Sequence, residues 1–416
     1  MGVRAGPWED GRTSLLPQPP LGYKARRSGR PRARRPQRPS VSTTHIDPRK
    51  FAQRLPSWLV PDGPEADVVI SCRVRLARNV AGFPFVTRLR PEQAQELAER
   101  LRGPLTSEAV ARVASLDQGD AGSEMLWVEV EQASSLVRHL LRERHVVSRD
   151  LAPSADERPA QPGRAVAFSR SETLSVMVNE EDHLRLQTMA PGFRLTQAWE
   201  RAQALDRALE DAVETAYDSN VGYLTCCPTN VGTGLRASVM LHLPALGLVR
   251  SEIDKVFNAA QRTGLAVRGL YGEGSRAFGD FYQISNQVTL GRSEEQLIGE
   301  LGDLVPAVVR FEREMRRSLL AERREALVDR ISRSWGLLRT ARSMATDGAL
   351  AHLSNLRLGL YLELWDAKPA DVLARARVQI QKGHVQALSQ GEPEPELVEP
   401  SQRDRMRAAF LRRVLA

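Results

Sequence analysis

The segment YLTCCPTNVGTGLRASVMLHLPAL, residues 223–246, decides how the rest of the chain is interpreted. It has two adjacent cysteines, a Gly-Thr-Gly turn, and then an arginine that opens a run of helix-forming residues. A glycine turn before a helix often binds phosphate, because free N–H groups of the first helical turn point at the anion. The Walker phosphate loop also needs a lysine, and none occurs between Lys50 and Lys255. If this chain binds a nucleotide, other residues must hold its phosphates.

The composition is that of a globular protein with ordinary cores. Its 416 residues suggest two domains, or one large domain with additions. No run approaches the roughly 18 apolar residues of a membrane span, and we see no apolar segment of a secretory signal. The cysteines Cys72, Cys226 and Cys227 make a poor disulfide framework, because their number is odd and two are adjacent. We therefore expect no membrane association and a reducing, cytoplasmic location.

The basic character of the chain is concentrated at its N-terminus. Residues 1–50 hold 12 Lys/Arg and 3 Asp/Glu, whereas the remainder holds 47 and 48. The first 50 residues also carry 8 of the 25 prolines, so we predict a disordered extension over residues 1–48. Its segment KARRSGRPRARRPQRP could contact nucleic acid. We favour a solvated extension, or translated sequence upstream of the true start, over a nucleic-acid partner.

Hydrophobic periodicity predicts alternating strands and helices, followed by a helical region. We predict strands within 67–79, 124–130, 165–170 and 174–189, helices over 91–105, 132–147 and 195–216, and a hairpin over 265–291 with a mobile glycine-rich tip. After about residue 296 the sequence predicts long helices that are rich in charged residues. Their Glu-to-Arg pairs have helical i,i+4 spacing, such as Glu312 with Arg316.

Four separate segments place arginines or carboxylates in strands and turns. Taken alone, each segment can be explained without a functional role, because surface strands often carry arginine and three consecutive acids can form a solvated turn. Together they suggest a cage for a triphosphate, since guanidinium binds phosphate oxygens in bidentate fashion and keeps its charge. Carboxylates in such a cage would bind magnesium, or orient and deprotonate a cationic acceptor. The segments are SCRVR with Arg73 and Arg75, NEEDHLR, CPTNVGTGLR with Cys227 and Arg236, and RGLYGEGS with Arg268 and Glu273.

These segments, in this order, resemble the phosphagen kinases, the ATP:guanidino phosphotransferases. The resemblance covers about residues 67–291 and is closest to the branch that phosphorylates arginine in proteins. It implies an α+β fold, with an antiparallel sheet flanked by helices over residues 49–305 and an all-α domain over residues 306–416. About twenty globular residues precede SCRVR, so we expect no counterpart of the small helical domain that covers the guanidino substrate in creatine kinase. An open site suits an arginine displayed on a protein.

The resemblance also assigns roles to individual residues. Glu181 would be the base and guanidinium anchor, Glu273 the second carboxylate on a mobile loop, and Cys227 a reactive thiolate beside the guanidinium. The sequence alone does not rank Glu181 against Glu180. The implied ATP contacts are Ser71, Cys72, Arg73, Val74, Arg75, His145, Arg185, Arg236, Ala237, Ser238, Val239, Met240, Arg268, Gly269, Leu270, Tyr271 and Gly272.

Three further features were interpreted within this resemblance. Cys72 stands where the family usually has a second serine, so it is either an oxidation-sensitive thiol near the phosphates or without effect. Cys226 is expected to be a packing residue. The segment RDRMRA matches the pattern with which this branch binds phosphoarginine, which implies a regulatory pocket formed by Arg403, Asp404, Arg407 and Ala408.

The resemblance implies transfer of the ATP γ-phosphoryl group to arginine side chains of proteins. It also implies that Mg²⁺ binds as a complex with ATP, and no residue of the chain is assigned as a metal ligand. Its implied partners are protein substrates (a heat-shock repressor and unfolded proteins), a Clp protease, an activator protein and a second copy of the chain. The mark would direct substrates to degradation in the stress response. The alternatives are a small-molecule kinase acting on free arginine and a binding module without catalysis. The complete set of arginines and carboxylates argues against the latter.

Overall fold

An eight-stranded antiparallel sheet forms the centre of the fold. The computed structural model describes residues 43–116, 124–154, 161–269 and 278–416. The sheet order is β2-β3-β4-β5-β1-β8-β10-β9, and β6 pairs with β7 in a separate hairpin. The strands are β1 Val69–Arg78, β2 Met125–Glu129, β3 Ala165–Ser169, β4 Leu174–Val178, β5 Leu184–Pro191, β6 Tyr217–Asp218, β7 Gly222–Tyr223, β8 Leu235–His242, β9 Leu265–Gly269 and β10 Phe281–Asn286.

Twelve α-helices of the described residues pack on this sheet and extend beyond it. They are α1 Pro48–Gln53, α2 Pro91–Leu105, α3 Glu108–Ser115, α4 Ser135–Glu143, α5 Leu195–Glu210, α6 Pro244–Leu248, α7 Arg250–Arg262, α8 Glu294–Thr340, α9 Thr346–Tyr361, α10 Ala370–Gln379, α11 Lys382–Ala387 and α12 Pro400–Val414. An antiparallel sheet with flanking helices and a helical C-terminal region confirms the predicted α+β class. Within the described ranges, no helix combines the length and apolar character needed to cross a bilayer.

The two faces of the central strands differ in character because successive side chains of a strand point to opposite sides. On β1, Cys72, Val74 and Leu76 are buried in the main hydrophobic cluster, which also contains apolar residues of α2, α3, α5, α7 and α8. The residues between them, Arg73 and Arg75, therefore lie on the other face. A one-residue slip would exchange the two sets, so burial of one face fixes the register.

The run of helix-forming residues after the Gly-Thr-Gly turn does not form a helix, because residues 235–242 are strand β8. This segment pairs with β1 on one side and β10 on the other. Ala237, Val239 and Leu241 join the core, so the segment alternates with the period of a strand. Pairing on both edges satisfies its backbone groups, and this tertiary environment overrides the helix preference of alanine, methionine and leucine.

Other predicted elements agree with the structure to differing degrees. Helix α2 has the predicted bounds, with proline at its first turn. Helix α5 was predicted to reach residue 216 but ends at Glu210, after which the chain turns to form the bridge between Thr215 and Val80. The predicted hairpin is present as the pair β9–β10; its tip, residues 270–277, lies outside the described residues, as does the N-terminal extension up to residue 42.

Helix α8 connects the sheet to the helical region. It runs without interruption past residue 305 and has one kink, at Arg323, where φ is −137° and ψ is 34°. The predicted pair of Arg316 Nε with Glu312 Oε1 forms at 2.8 Å, but it is buried rather than solvated. The Glu312 carboxylate also accepts bonds from two backbone N–H groups of α6. The division at residues 305 and 306 stays a prediction.

Candidate active site

Five arginines on four strands of the sheet project onto the face opposite the main core. We call this set the arginine face: Arg73 and Arg75 on β1, Arg185 on β5, Arg236 on β8 and Arg268 on β9. The register aligns Arg75 with Arg236, Ala77 with Arg185, and Gln283 with Arg268. Gln283 was not predicted; its Oε1 accepts a bond from Arg73 Nη2 at 2.8 Å. Antiparallel pairing thus brings together residues from four separate segments of the chain.

Positive charge is concentrated on this face. Burial, with the nearby Arg185 guanidinium, lowers the pKa of Arg73 to about 10. Burial and the charges of Arg73, Arg185 and Arg236 lower the pKa of Arg75 well below its ordinary value. Nε of Arg75 and Nε of Arg236 are buried and have no hydrogen-bond partner among the described residues. A polyanion would supply acceptors and relieve the repulsion.

The arginine face opens into a cavity of about 720 Å³, within the range of small-molecule sites. The sheet contributes Arg73, Arg75 and Arg185 to its lining. The opposite wall comes from the helical region, including Asp347, Arg377 and Lys382, none of which was predicted. The cavity therefore lies between the sheet and helices α9 to α11.

His145 lines this cavity from the turn after α4; its role as a nucleotide contact stays a prediction. Its backbone has a φ of 57°, and its carbonyl oxygen accepts a bond from Gln187 Nε2 at 2.7 Å. Its ring packs edge-on against Trp58, with centroids 5.5 Å apart. Burial, then the charges of Arg73 and Arg377, lower the pKa of His145 to about 3, so its imidazole is neutral near pH 7.

The three acids of NEEDH have three different environments. Both carboxylate oxygens of Glu180 lie 2.6 Å from Arg185 Nη1. Burial raises the pKa of Glu180, but Arg185 and further hydrogen bonds outweigh it and lower the pKa overall. Asp182 Oδ1 accepts bonds from Asn79 Nδ2 at 2.6 Å and Cys226 N at 2.7 Å. Glu181 is exposed to solvent.

The loop before β8 connects the acids to the arginine face. Cys227 is partly exposed, and its Sγ lies 3.1 Å from Thr229 Oγ1. Asn230 Oδ1 accepts a bond from Arg236 Nη2 at 3.3 Å, and its Nδ2 donates to Glu181 Oε2 at 3.4 Å. Asn230 stands inside the CPTN motif, but sequence reasoning assigned it no role. Its amide links the exposed carboxylate to the arginine face.

The Gly-Thr-Gly turn is needed for close backbone packing at the entry to a strand. Gly232 and Gly234 have φ values of 108° and 64°. A Cβ on Gly234 would lie 2.6 Å from the Ala77 carbonyl oxygen, and one on Gly232 would lie 2.9 Å from that of Thr289. The turn leads into a strand rather than a helix, so the positively charged groups near it are side-chain guanidinium groups rather than helix-terminal N–H groups.

Four of the predicted ATP contacts point their side chains away from the arginine face: Cys72, Val74, Ala237 and Val239 belong to the main core. Burial raises the pKa of Cys72 to about 12, and its Sγ donates to the Gly192 carbonyl oxygen at 3.3 Å. Ser71, Ser238 and Met240 instead line a smaller pocket with Arg73 and His145. Gly269 ends β9, while Leu270, Tyr271, Gly272 and Glu273 lie outside the described residues.

The RDRMRA segment forms the first half of α12. Arg407 is fully buried and donates to the carbonyl oxygens of Ile380 and Met344, both at 2.7 Å, and to Asp404 Oδ1 at 2.6 Å. Ala408 is also buried. Arg403 and Asp404 remain partly exposed, and Arg403 Nη1 donates to the Val398 carbonyl oxygen.

Comparison with known proteins agrees with this geometry. Residues 106–315 match the family described as "ATP:guanido phosphotransferase, C-terminal catalytic domain". Residues 324–416 match "Protein-arginine kinase McsB C-terminal domain". The kink at Arg323 falls in the gap between the two matches.

Curated relatives extend the match over most of the chain. The protein-arginine kinase of Pelotomaculum thermopropionicum is 39% identical over 86% of this chain and 95% of its own length. That of Moorella thermoacetica is 40% identical over 88% of this chain and 98% of its own. Among solved structures, a lombricine kinase is 25% identical with a TM-score of 0.49, covering 67% of this chain and 74% of its own.

Proposed function

The chain belongs to the protein-arginine kinases of the ATP:guanido phosphotransferase family, and from this premise we propose that the arginine face is the ATP site of the reaction. The enzyme is a phosphotransferase acting on arginine in proteins. The observation that carries the proposal is the junction at Asn230. There the concentrated positive charge of the arginine face meets an exposed carboxylate, Glu181, and a cysteine, Cys227.

The arginine face would hold the triphosphate and neutralise the charge that develops during phosphoryl transfer. A guanidinium nitrogen of the acceptor forms a bond to the γ-phosphorus, while the bond to the β,γ-bridging oxygen breaks and ADP leaves. Because an arginine guanidinium has a pKa above about 12, its nitrogen becomes a nucleophile only as one proton departs. That proton passes to a carboxylate of the enzyme, and the product is phosphoarginine.

The environments of Glu180 and Glu181 support Glu181 as this proton acceptor. Glu180 is buried and already bound through both oxygens to Arg185, so its carboxylate serves to hold one arginine of the face in place. Glu181 is exposed and, among the described residues, has one long bond, to Asn230. It can therefore bind an incoming guanidinium without losing an existing ion pair. We assign Cys227 to the same acceptor end, and Glu273 as the second carboxylate.

We propose that Mg²⁺ enters as the ATP complex and is held mainly through the phosphate oxygens and water. Arginine does not ligate Mg²⁺. Across the described ranges, no group of three or more His, Cys, Asp or Glu side chains is placed to hold a metal ion. The cation would therefore shield the phosphates while the guanidinium groups orient them.

The surroundings of the acceptor end suit a protein substrate better than free arginine. Val288 and Leu290 are 56% and 51% exposed. Between them, the Thr289 hydroxyl donates to the carbonyl oxygens of Thr229 and Val231, in the loop that carries Cys227. Exposed apolar side chains beside the site can contact residues that flank an arginine in an unfolded segment. Free arginine has no such flanking residues.

Membership of the same family also supports proposals about the regulation and the partners of the protein. We propose that Arg403 and Asp404 contact phosphoarginine at a second, regulatory site, and that buried Arg407 and Ala408 position them. We further propose a homodimer through the helical region, an activator protein, and a role in the cytoplasmic stress response, in which marked proteins pass to a Clp protease. A heat-shock repressor and unfolded proteins are the proposed substrates.

The test is transfer of phosphate from Mg-ATP to an unfolded arginine-containing protein, run in parallel with free arginine and mapped by mass spectrometry at mild pH. We expect phosphoarginine on the protein. A double variant, Val288→Ser with Leu290→Ser, should raise KM for the protein and leave any reaction with free arginine unchanged. Phosphorylation of free arginine alone would make the chain a metabolic guanidino kinase, and ATP binding without either product would refute the proposed transfer.

A further inference from the structure

Arg377 of helix α10 lies at the edge of the arginine face although it belongs to the helical region. Its side chain is only 7% exposed and lines both the large cavity and the smaller pocket formed by Ser71, Arg73 and His145. Its guanidinium carbon lies 4.8 Å from the ring centre of Phe281 on β10. The ring of Phe281 is in turn stacked on His242, with centroids 4.7 Å apart. Arg377 is therefore held in a defined position by the sheet.

The arrangement of the strands indicates which end of the arginine face holds the γ-phosphoryl group and which end holds the nucleoside. Glu181 and Cys227 mark the acceptor end, and both act electrostatically on Arg236, which is opposite Arg75 in the register. The γ-phosphoryl group must therefore lie near Arg75 and Arg236. At about 3.3 Å per strand residue, Ser71 lies roughly 13 Å from Arg75 along β1. The smaller pocket around Ser71 thus corresponds to the α-phosphate and nucleoside end.

Arg377 faces this far end together with His145. The influence of Arg377 on the pKa of His145 is exceeded only by burial and Arg73, which places the guanidinium close to the imidazole. On the basis of the proposed function, we propose that Arg377 binds the α-phosphate end of the nucleotide, so that the helical region supplies part of the ATP site. Guanidinium is the side chain best suited to phosphate oxygens.

This assignment has a mechanical consequence for the two parts of the chain. A nucleotide bound to both Arg73 on β1 and Arg377 on α10 would join the sheet to the helical region. Nucleotide binding should then slow local opening of α10. The neighbouring Arg375 is exposed on the same helix and provides a matched control, because its replacement removes the same charge away from the cavity.

The experiment measures ATP and ADP dissociation constants for the wild type, Arg377→Gln, Arg377→Met and Arg375→Gln in the full chain. We expect both Arg377 variants to weaken ATP and ADP by the same factor, about tenfold, since one charged hydrogen-bonding group is lost. Arg375→Gln should bind both like the wild type. In the Arg377 variants, KM for the protein substrate should not change, and kcat at saturating ATP should stay near the wild-type value.

Three results would overturn the inference. Unchanged affinity for both ATP and ADP in folded Arg377 variants would show that Arg377 only packs on Phe281. Weakened ATP with unchanged ADP would place it at the γ-phosphate instead. In the wild type, where folding of a variant is not at issue, failure of ADP to slow amide hydrogen exchange in residues 370–379 would also exclude the contact. Failure of the wild type to phosphorylate any arginine would instead refute the proposed function, whatever the variants do.

Discussion

Replacement of Glu181 and Glu180 by glutamine should separate proton transfer from structural support. Both substitutions keep the shape of the side chain and remove one negative charge, but the two carboxylates stand in different surroundings. Glu181 is exposed, and within the described part of the chain it makes one bond of 3.4 Å, so Glu181→Gln should change the free energy of unfolding by less than about 1 kcal/mol. If Glu181 accepts the proton, kcat should fall about 10²- to 10⁴-fold.

Glu180→Gln should have the opposite profile. The Glu180 side chain is 1% exposed and that of Arg185 is 19% exposed, so the substitution leaves a mostly buried guanidinium without its carboxylate. Breaking a buried pair in this way costs about 3–5 kcal/mol. The neutral amide can still accept one bond from Arg185, which places the expected loss at the lower end, about 3 kcal/mol. Turnover at saturating ATP should fall less than in Glu181→Gln.

The assays are urea unfolding followed by circular dichroism, and initial rates of phosphate transfer at saturating protein and ATP. Glu96→Gln, at an exposed position of α2 on the core side of the sheet, serves as a control for the same exchange away from the arginine face. Equal losses of turnover in the two variants, or a large loss of stability in Glu181→Gln, would refute the assignment of proton acceptor to Glu181 and of support to Glu180.

The remaining predictions concern pH, thiol reactivity and the C-terminal motif. Because the folded-state pKa of Glu180 is lowered, its carboxylate should stabilise the fold at pH values above its ordinary pKa of 4.5. This contribution should be lost as the pH falls through the lowered pKa. Urea titrations at decreasing pH should show this loss of stability in the wild type but not in Glu180→Gln. Cys72 is fully buried, and burial raises its pKa to about 12, so native protein should be alkylated at Cys227 well before Cys72. Early modification of Cys72 in peptide mapping would contradict its placement in the core. The variant Cys72→Ser should retain activity within about twofold, because a hydroxyl can keep the bond to Gly192. Arg407→Ala should cost about 3 kcal/mol in unfolding, because the three hydrogen bonds that its buried guanidinium donates are lost. Arg403→Ala should weaken phosphoarginine binding, measured by calorimetry, at nearly unchanged stability; the reverse pattern would exchange their roles.

Local chemistry determined much of what the sequence predicted correctly. Helix α2 begins at a proline, whose fixed φ suits a first helical turn, and its bounds are as predicted. Strand alternation over β1 placed Arg73 and Arg75 on one face without knowledge of the partner strands. The motifs around Glu181, Cys227 and Arg236 carried the resemblance to the phosphotransferase family, which the family match over residues 106–315 confirms.

Tertiary structure decided which of these residues lie together and which environment each one has. The segment 235–242 has helix-forming residues, yet it is a strand, because β1 and β10 satisfy its backbone on both sides. Three adjacent acids look alike in sequence, but one pairs with Arg185, one holds the backbone of Cys226 and one is exposed, and only long-range contacts distinguish them. Arg377 lies more than a hundred residues from the other cavity arginines along the chain and has no motif of its own. Its place against Phe281 depends on how α10 packs against β10, and a side chain's local pattern carries no information about a contact made across the fold.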